Sequence, residues 1–215
     1  MTLQLDAAYR DDLRAFTDRL RHLDASAIVR LRTRADGGIG VWALTVFDAL
    51  VVRVVAGRLS PSDTTCSAEA LAQGLRAAGA EGAVDIGFPI DSAWRGGLPP
   101  EQGFVHLDDI PSAVLDQLAR SGSELARTHG GPHGPPVSLL DQHVLEVGGP
   151  GHDVAVPMRC VLALVSMGFL GDAGHLDSGG VVRVRATPTW LRLDARFGSV
   201  FRRRTGSGLV IRMPS

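Results

Sequence analysis

Four of the seven histidines, His129, His133, His143 and His152, fall within 24 positions, with Asp141, Glu146 and Asp153 standing among them. Neutral imidazole and carboxylate oxygen are the donors that zinc or another divalent metal takes, and His129 and His133 have an H-x3-H spacing. That spacing brings two rings together only on a helix, whereas Gly130, Gly131 and Pro132 intervene and favour a loop. The cluster therefore has two readings. One is a metal-dependent enzyme using these histidines with Asp141 or Glu146; the other, which the sequence favours, is a set of solvated loop histidines and no cofactor.

The second chemical feature is arginine. All 22 basic residues are Arg, and the chain has neither Lys nor Asn. Lys and Asn both use AA-starting codons, so their joint absence points to a high-GC bacterium. Arg183, Arg185, Arg192, Arg196, Arg202, Arg203, Arg204 and Arg212 are interleaved with Trp190, Phe197 and Phe201. Guanidinium forks pair with phosphate and nearby aromatics stack on bases, so nucleic acid is one candidate partner. An isoelectric point of about 6.6 argues against a dedicated nucleic-acid binder. An acidic protein partner, or a second copy of the chain, fits better. The plain alternative is intramolecular pairing with the acidic middle of the sequence.

Trp94 and Arg95 form a third candidate, an aromatic and a cation within a Gly/Pro-rich stretch of the kind that carries binding residues. Trp94 reads equally well as a plug at the edge of the core. Asp108 and Asp109 precede an expected helix, where carboxylates cap free N–H groups. Cys66 and Cys160 belong to no metal or redox pattern and read as reduced, buried thiols.

Several absences narrow the chemistry. Without Lys there is no P-loop and no Schiff-base enzyme, and the G-x-S-x-G, H-E-x-x-H and strand-borne G-x-G-x-x-G motifs are missing too.

The elements that must position these residues follow from periodicity. Tyr9, Leu13, Phe16, Leu20 and Leu23 give an amphipathic helix. Val29 to Arg34 alternates apolar residues with arginines and closes on Asp36-Gly37-Gly38, a tight turn. The runs 40–47 and 49–56 complete a three-stranded meander, and Ala68 to Ala78 forms a short helix. The Gly/Pro-rich segment 82–103 is expected as an ordered crossover. A helix near Pro111 is expected to carry Val114, Leu115, Leu118 and Leu125 inward. Residues 128–136 read as an interdomain linker or exposed loop, 137–147 as a strand, and Pro157 as the start of an apolar helix. From Val181 the period returns to two, giving a second antiparallel meander with turns at Gly198, Gly206 and Gly208.

Length, 45% hydrophobic residues and 21% charged residues exclude a disordered chain, a membrane protein and a disulfide scaffold. The apolar run 154–170 contains Pro157 and Arg159 and is too interrupted for membrane insertion. Asp6, Arg10, Asp11 and Asp12 occupy the place of a signal peptide's apolar stretch, so a cytoplasmic address is expected. The formal net charge of −1 conceals segments of +2 (1–61), −10 (62–178) and +7 (179–215). The expected fold class is α+β: two antiparallel β-meanders packed by helices, in halves 1–103 and 104–215, a candidate pseudo-two-fold pair of subdomains that could share one continuous domain. The expected function is non-enzymatic, a binding or adaptor protein presenting its Arg-rich C-terminal β surface.

Overall fold

The structure is a computed structural model that describes residues 1–79, 82–129, 136–149, 152–172 and 179–204, leaving aside the side chains of Thr128, His129 and His152. In chain order the first half holds strand β1 (Thr2–Leu5), helix α1 (Arg10–Leu23), strands β2 (Ile28–Thr33), β3 (Ile39–Leu44), β4 (Leu50–Val55), β5 (Gly57–Ser60) and β6 (Asp63–Ser67), helix α2 (Ala68–Ala77) and strand β7 (Ala83–Val84). The second half holds β8 (Val105–Pro111), α3 (Ser112–His129), the helical turn α4 (Val137–Leu140), β9 (His143–Gly149), β10 (His152–Pro157), α5 (Met158–Ser166), β11 (Val181–Ala186), β12 (Trp190–Ala195) and β13 (Gly198–Arg203).

Both meanders exist, and they join into one eight-stranded sheet of order β6-β2-β3-β4-β13-β12-β11-β8. The halves meet where the last strand of one meander pairs antiparallel with the last strand of the other, Leu50 opposite Phe201 and Val51 opposite Val200. This places a pseudo-two-fold between β4 and β13. It relates β3 to β12, β2 to β11, and the outer strands β6 and β8, each of which leads into a helix. The repeat is permuted in sequence, because the first half runs helix-meander then strand-helix, whereas the second runs strand-helix first. Period-two alternation gives the sheet two faces. Val29, Leu31, Val41, Val51, Val184, Leu191, Leu193 and Val200 point into the main core, where Leu13, Phe16 and Leu20 of α1, Leu71 and Leu75 of α2, Leu115 of α3 and Leu164 of α5 cover them. Helix α1 lies on α2 and α3 on α5.

Local chemistry explains the boundaries. Asp11 and Asp12 stand in the first turn of α1 and Arg21 and His22 in its last, each at the end of the helix dipole it favours. Ser67 caps α2, its hydroxyl accepting the Ala70 N–H at 3.0 Å. The β2–β3 turn closes as expected, with Arg34 N–H on Gly38 O at 2.8 Å and Asp36 accepting the Gly38 N–H. In the β3–β4 turn Asp48 takes a left-handed φ of 55°.

Three sequence expectations change. Residues 137–140 form a helical turn and the strand begins at His143, pairing with β10 in a hairpin that no periodicity announced. Asp108 and Asp109 lie inside β8, beside β11, and are not helix caps. On α3 the inward stripe carries Leu115 and Ala119, with Leu118 partly buried, while Val114 and Leu125 are exposed. The expected linker or exposed loop at 128–136 falls largely on residues 130–135, which lie outside the described residues. The crossover between halves is 85–104.

Candidate binding surface

The sheet face opposite the helices carries a second, smaller apolar cluster. Trp42 of β3, Leu50 and Val52 of β4, Phe201 of β13 and Trp190 of β12 meet across the junction of the halves, with Trp94, Leu98 and Phe104 of the crossover packed on them. Here β3 and β4 are apolar on both faces because both faces are covered. The Trp42 indole folds back over Gly40, where a Cβ would stand 2.6 Å from its Nε1, so only glycine fits. Trp42 and Phe201 are tilted rings 5.3 Å apart, and Phe104 meets Phe201 edge-on at 5.9 Å.

The crossover is a strap laid over this cluster. Its start is tied to the edge strand β6: Ile90 N–H donates to Thr65 O at 2.8 Å, and Asp91 accepts the Thr65 N–H at 2.6 Å. These bonds occupy the polar groups that an open sheet edge would otherwise present. Trp94 donates to Gly96 O at 3.1 Å and lies under the Arg30 guanidinium, 5.9 Å from its centroid. Beside the strap opens a groove of about 580 Å³ whose walls are Leu44, Leu50, Trp190 and Phe201 from the sheet, Trp94 and Arg95 from the strap, and Arg202 and Arg203. A second cavity of about 530 Å³, lined by Arg32, Arg34, Trp42 and Leu98 to Gln102, opens on the strap's other side.

Charge is divided between the two faces of the molecule. The strands of the outer sheet face project Arg30, Arg32, Arg183, Arg185, Arg192 and Arg203 against Asp63, Asp194 and, at the β8 edge, Asp109, and the strap adds Arg95, Asp91 and Glu101. The helix layer is balanced: four Arg and three Asp in α1, Arg76 and Glu69 in α2, Arg120 and Arg127 with Asp116 and Glu124 in α3. Arg30 and Asp63 form a bidentate pair at 2.7 Å for both bonds. Hydrogen bonding to Arg30 pulls the Asp63 pKa below the ordinary carboxylate value and raises that of Arg30.

Among the described residues, the carboxylates that pair with arginines of the second meander are Asp194 and Asp48, neither from the acidic middle segment. Arg185 and Arg192 converge on Asp194, at 3.5 and 2.6 Å. Arg202 pairs with Asp48 at 2.6 Å, and Arg204 donates to the carbonyls of Thr187 and Asp153. Arg203 lies 5.2 Å from the Trp190 ring centroid, Arg196 5.5 Å from that of Phe197, and Arg183 is exposed. Thus Trp94, Arg95, Trp190, Arg202 and Arg203, far apart in sequence, come together around one groove. Arg183, Arg185 and Arg192 extend the same face, whereas Arg196 and Arg204 stand apart from the groove. Arg212 lies outside the described residues.

Arg159, the charge that interrupts the apolar run 154–170, is 5% exposed. It donates to Phe47 O at 2.8 Å and pairs with Asp48 and Asp141. Asp141, a candidate metal ligand in the sequence, is therefore engaged by a buried cation. The β9–β10 register sets His152 opposite Gly149 and His143 opposite Pro157. At about 3.4 Å per residue the two histidines stand at opposite ends of the hairpin, too far apart to share one ion. Glu146 is exposed between them, His133 lies outside the described residues, and among the described residues no three His, Cys, Asp or Glu side chains gather as a metal site. Cys66 and Cys160 are free and buried, and burial pushes both thiols up to about 12. No helix among the described residues is long and apolar enough to cross a membrane.

Sequence reasoning missed Trp42, Leu44, Leu50 and Asp48. The available signal was the two-sided apolar character of 39–44 and 50–55, which demands a cover on both faces.

Among solved structures the fold resembles DNA polymerase sliding clamps. A putative DNA polymerase III beta subunit from Eubacterium rectale matches with a TM-score of 0.57 at 12% identity, over 98% of this chain and 66% of that one. The sliding clamps of Bacillus subtilis and Caulobacter crescentus each match with a TM-score of 0.55 at 12% identity, over 100% and 94% of this chain. The chain spans 65% of the length of those two clamps. No curated protein matches the sequence. Residues 1–96 match the family described as Domain of unknown function (DUF8010), so that the break between family matches falls within the strap. The chain belongs to the family described as Domain of unknown function (DUF8185), which it matches over residues 99–207.

Proposed function

We propose that the protein is a non-enzymatic binding scaffold whose arginine-faced outer sheet surface engages an acidic protein partner. The observation that carries this reading is the row of six arginines that the sheet strands project on that face against three carboxylates of the same strands, beside an apolar groove; the strap adds Arg95, Asp91 and Glu101. Arg95 and Arg203 stand at the groove with no carboxylate paired to them among the described residues, and Leu44, Leu50, Trp190 and Phe201 give it an apolar floor. A buried aromatic anchor within a charged rim is the usual anatomy of a protein-docking site. The solved neighbours are named sliding clamps, which fits a molecule that holds another.

The second reading, nucleic acid, is favoured by the same names. It is disfavoured by a formal net charge of −1 and an isoelectric point of about 6.6, since tracking a duplex needs many phosphate contacts. Fluorescence anisotropy with a labelled polyglutamate peptide and with duplex DNA, at low and at physiological salt, separates the two. The scaffold reading expects saturable peptide binding that Arg183→Glu/Arg185→Glu abolishes; duplex binding in preference to peptide contradicts it. Sedimentation of the protein alone shows whether the partner is a second copy.

A further inference from the structure

The strap itself is the occupant of the outer face, and its residues report what that face selects. Leu98 packs on the Trp42, Leu50 and Phe201 cluster. Three residues later the Glu101 carboxylate accepts the Ala35 N–H at 3.0 Å, in the cavity that Arg32 and Arg34 line. Between them Pro99 and Pro100 hold the backbone extended, so the two anchors are presented at a fixed spacing. Gly96 and Gly103 bracket the segment in the left-handed region, at φ 88° and 85°, with open space where a Cβ would stand. Apart from the Glu101 bond, the segment 98–102 is held to the sheet by apolar contact and charge.

We infer that the strap is an internal ligand, and that the partner docks through an extended segment of the same chemistry: an apolar residue followed three positions later by a carboxylate. This segment takes the places of Leu98 and Glu101 while the strap swings out on Gly96 and Gly103. The inference rests on the acidic-partner reading and adds to it the local pattern that the face recognises. A tethered competitor acts at an effective concentration in the millimolar range, so it suppresses weak ligands and admits a partner only when rim contacts add to the anchors.

The test uses a labelled peptide with the sequence of residues 97–104, titrated into the whole chain and into the Leu98→Ser/Glu101→Gln variant. The variant, freed of its competitor, is expected to bind the peptide at least about tenfold more tightly than the parent, and the same peptide carrying Glu101→Gln to bind about tenfold more weakly. Equal binding by the two proteins, or by the two peptides, overturns the inference. Because the double variant removes a packed residue, hydrogen exchange on the unaltered protein provides a second reading. Strap amides at 98 and 101–103 should exchange faster than those of β3 and β4, and equal protection overturns the inference as well. The acidic-partner reading fails separately, on absence of polyglutamate binding by the parent or its survival in Arg183→Glu/Arg185→Glu, two positions that the short strap peptide does not need.

Discussion

Asp48 shows how one residue can fasten two halves of a chain. It sits in a left-handed turn of the first half, and its carboxylate meets Arg202 of β13 and Arg159 of α5, both from the second. Removing it leaves a buried guanidinium short of a partner, so Asp48→Ala is expected to lower stability by about 1–3 kcal/mol, read as a shift of the urea midpoint. A midpoint unchanged within error contradicts the role. Asp63 behaves differently because it is partly solvated. Its folded pKa lies below the unfolded value, so its contribution is complete above about pH 4 and is lost as pH falls through the folded value. Exposure limits it to under about 1 kcal/mol, and Asp63→Asn should flatten only the acid limb of the stability curve. Cys66 and Cys160, with thiols pushed to about 12, should resist a thiol reagent at pH 8 and react fully once the chain is unfolded, roughly two equivalents by absorbance.

At the scale of elements, the strap governs the site. Gly103 has a φ of 85°, which a β-branched residue occupies only with strain. Gly103→Val is expected to cost about 1–2 kcal/mol and to increase quenching of tryptophan fluorescence by acrylamide as the strap lifts from Trp42 and Trp190. Stability lost without greater quenching would place the strain elsewhere. Helix α1 and the strands of both meanders were legible in the sequence because each has one buried face, so that Leu13, Phe16 and Leu20, or Val182, Val184 and Ala186, recur at the period of their element. Strands β1, β5, β7 and β8 were not: β1, β5 and β7 form a separate small sheet from runs of only two to four residues, and β8 buries its residues without a period of two. The groove was half legible. Trp94, Arg95, Trp190 and Arg203 announced themselves by type, whereas Leu44 and Leu50 look like any strand residue until the pairing of β4 with β13 sets them beside Phe201.

The permuted two-fold accounts for a property of the whole molecule. Because strand-helix and helix-meander units appear in opposite order in the two halves, the sequence shows no internal repeat although the sheet is pseudo-symmetric. One core and one continuous sheet also mean that neither half presents a closed edge alone. Calorimetry should therefore give a single transition with matching calorimetric and van't Hoff enthalpies, and two resolved transitions would contradict a shared core. In the proposed reading, the charge gradient along the chain becomes a working surface: the arginines of the outer sheet strands. The most direct measurement of that claim is anisotropy of a labelled polyglutamate peptide against the parent and the Arg183→Glu/Arg185→Glu variant. The account predicts saturable, salt-weakened binding by the parent and none by the variant; equal binding by both, or preference for duplex DNA, would contradict it.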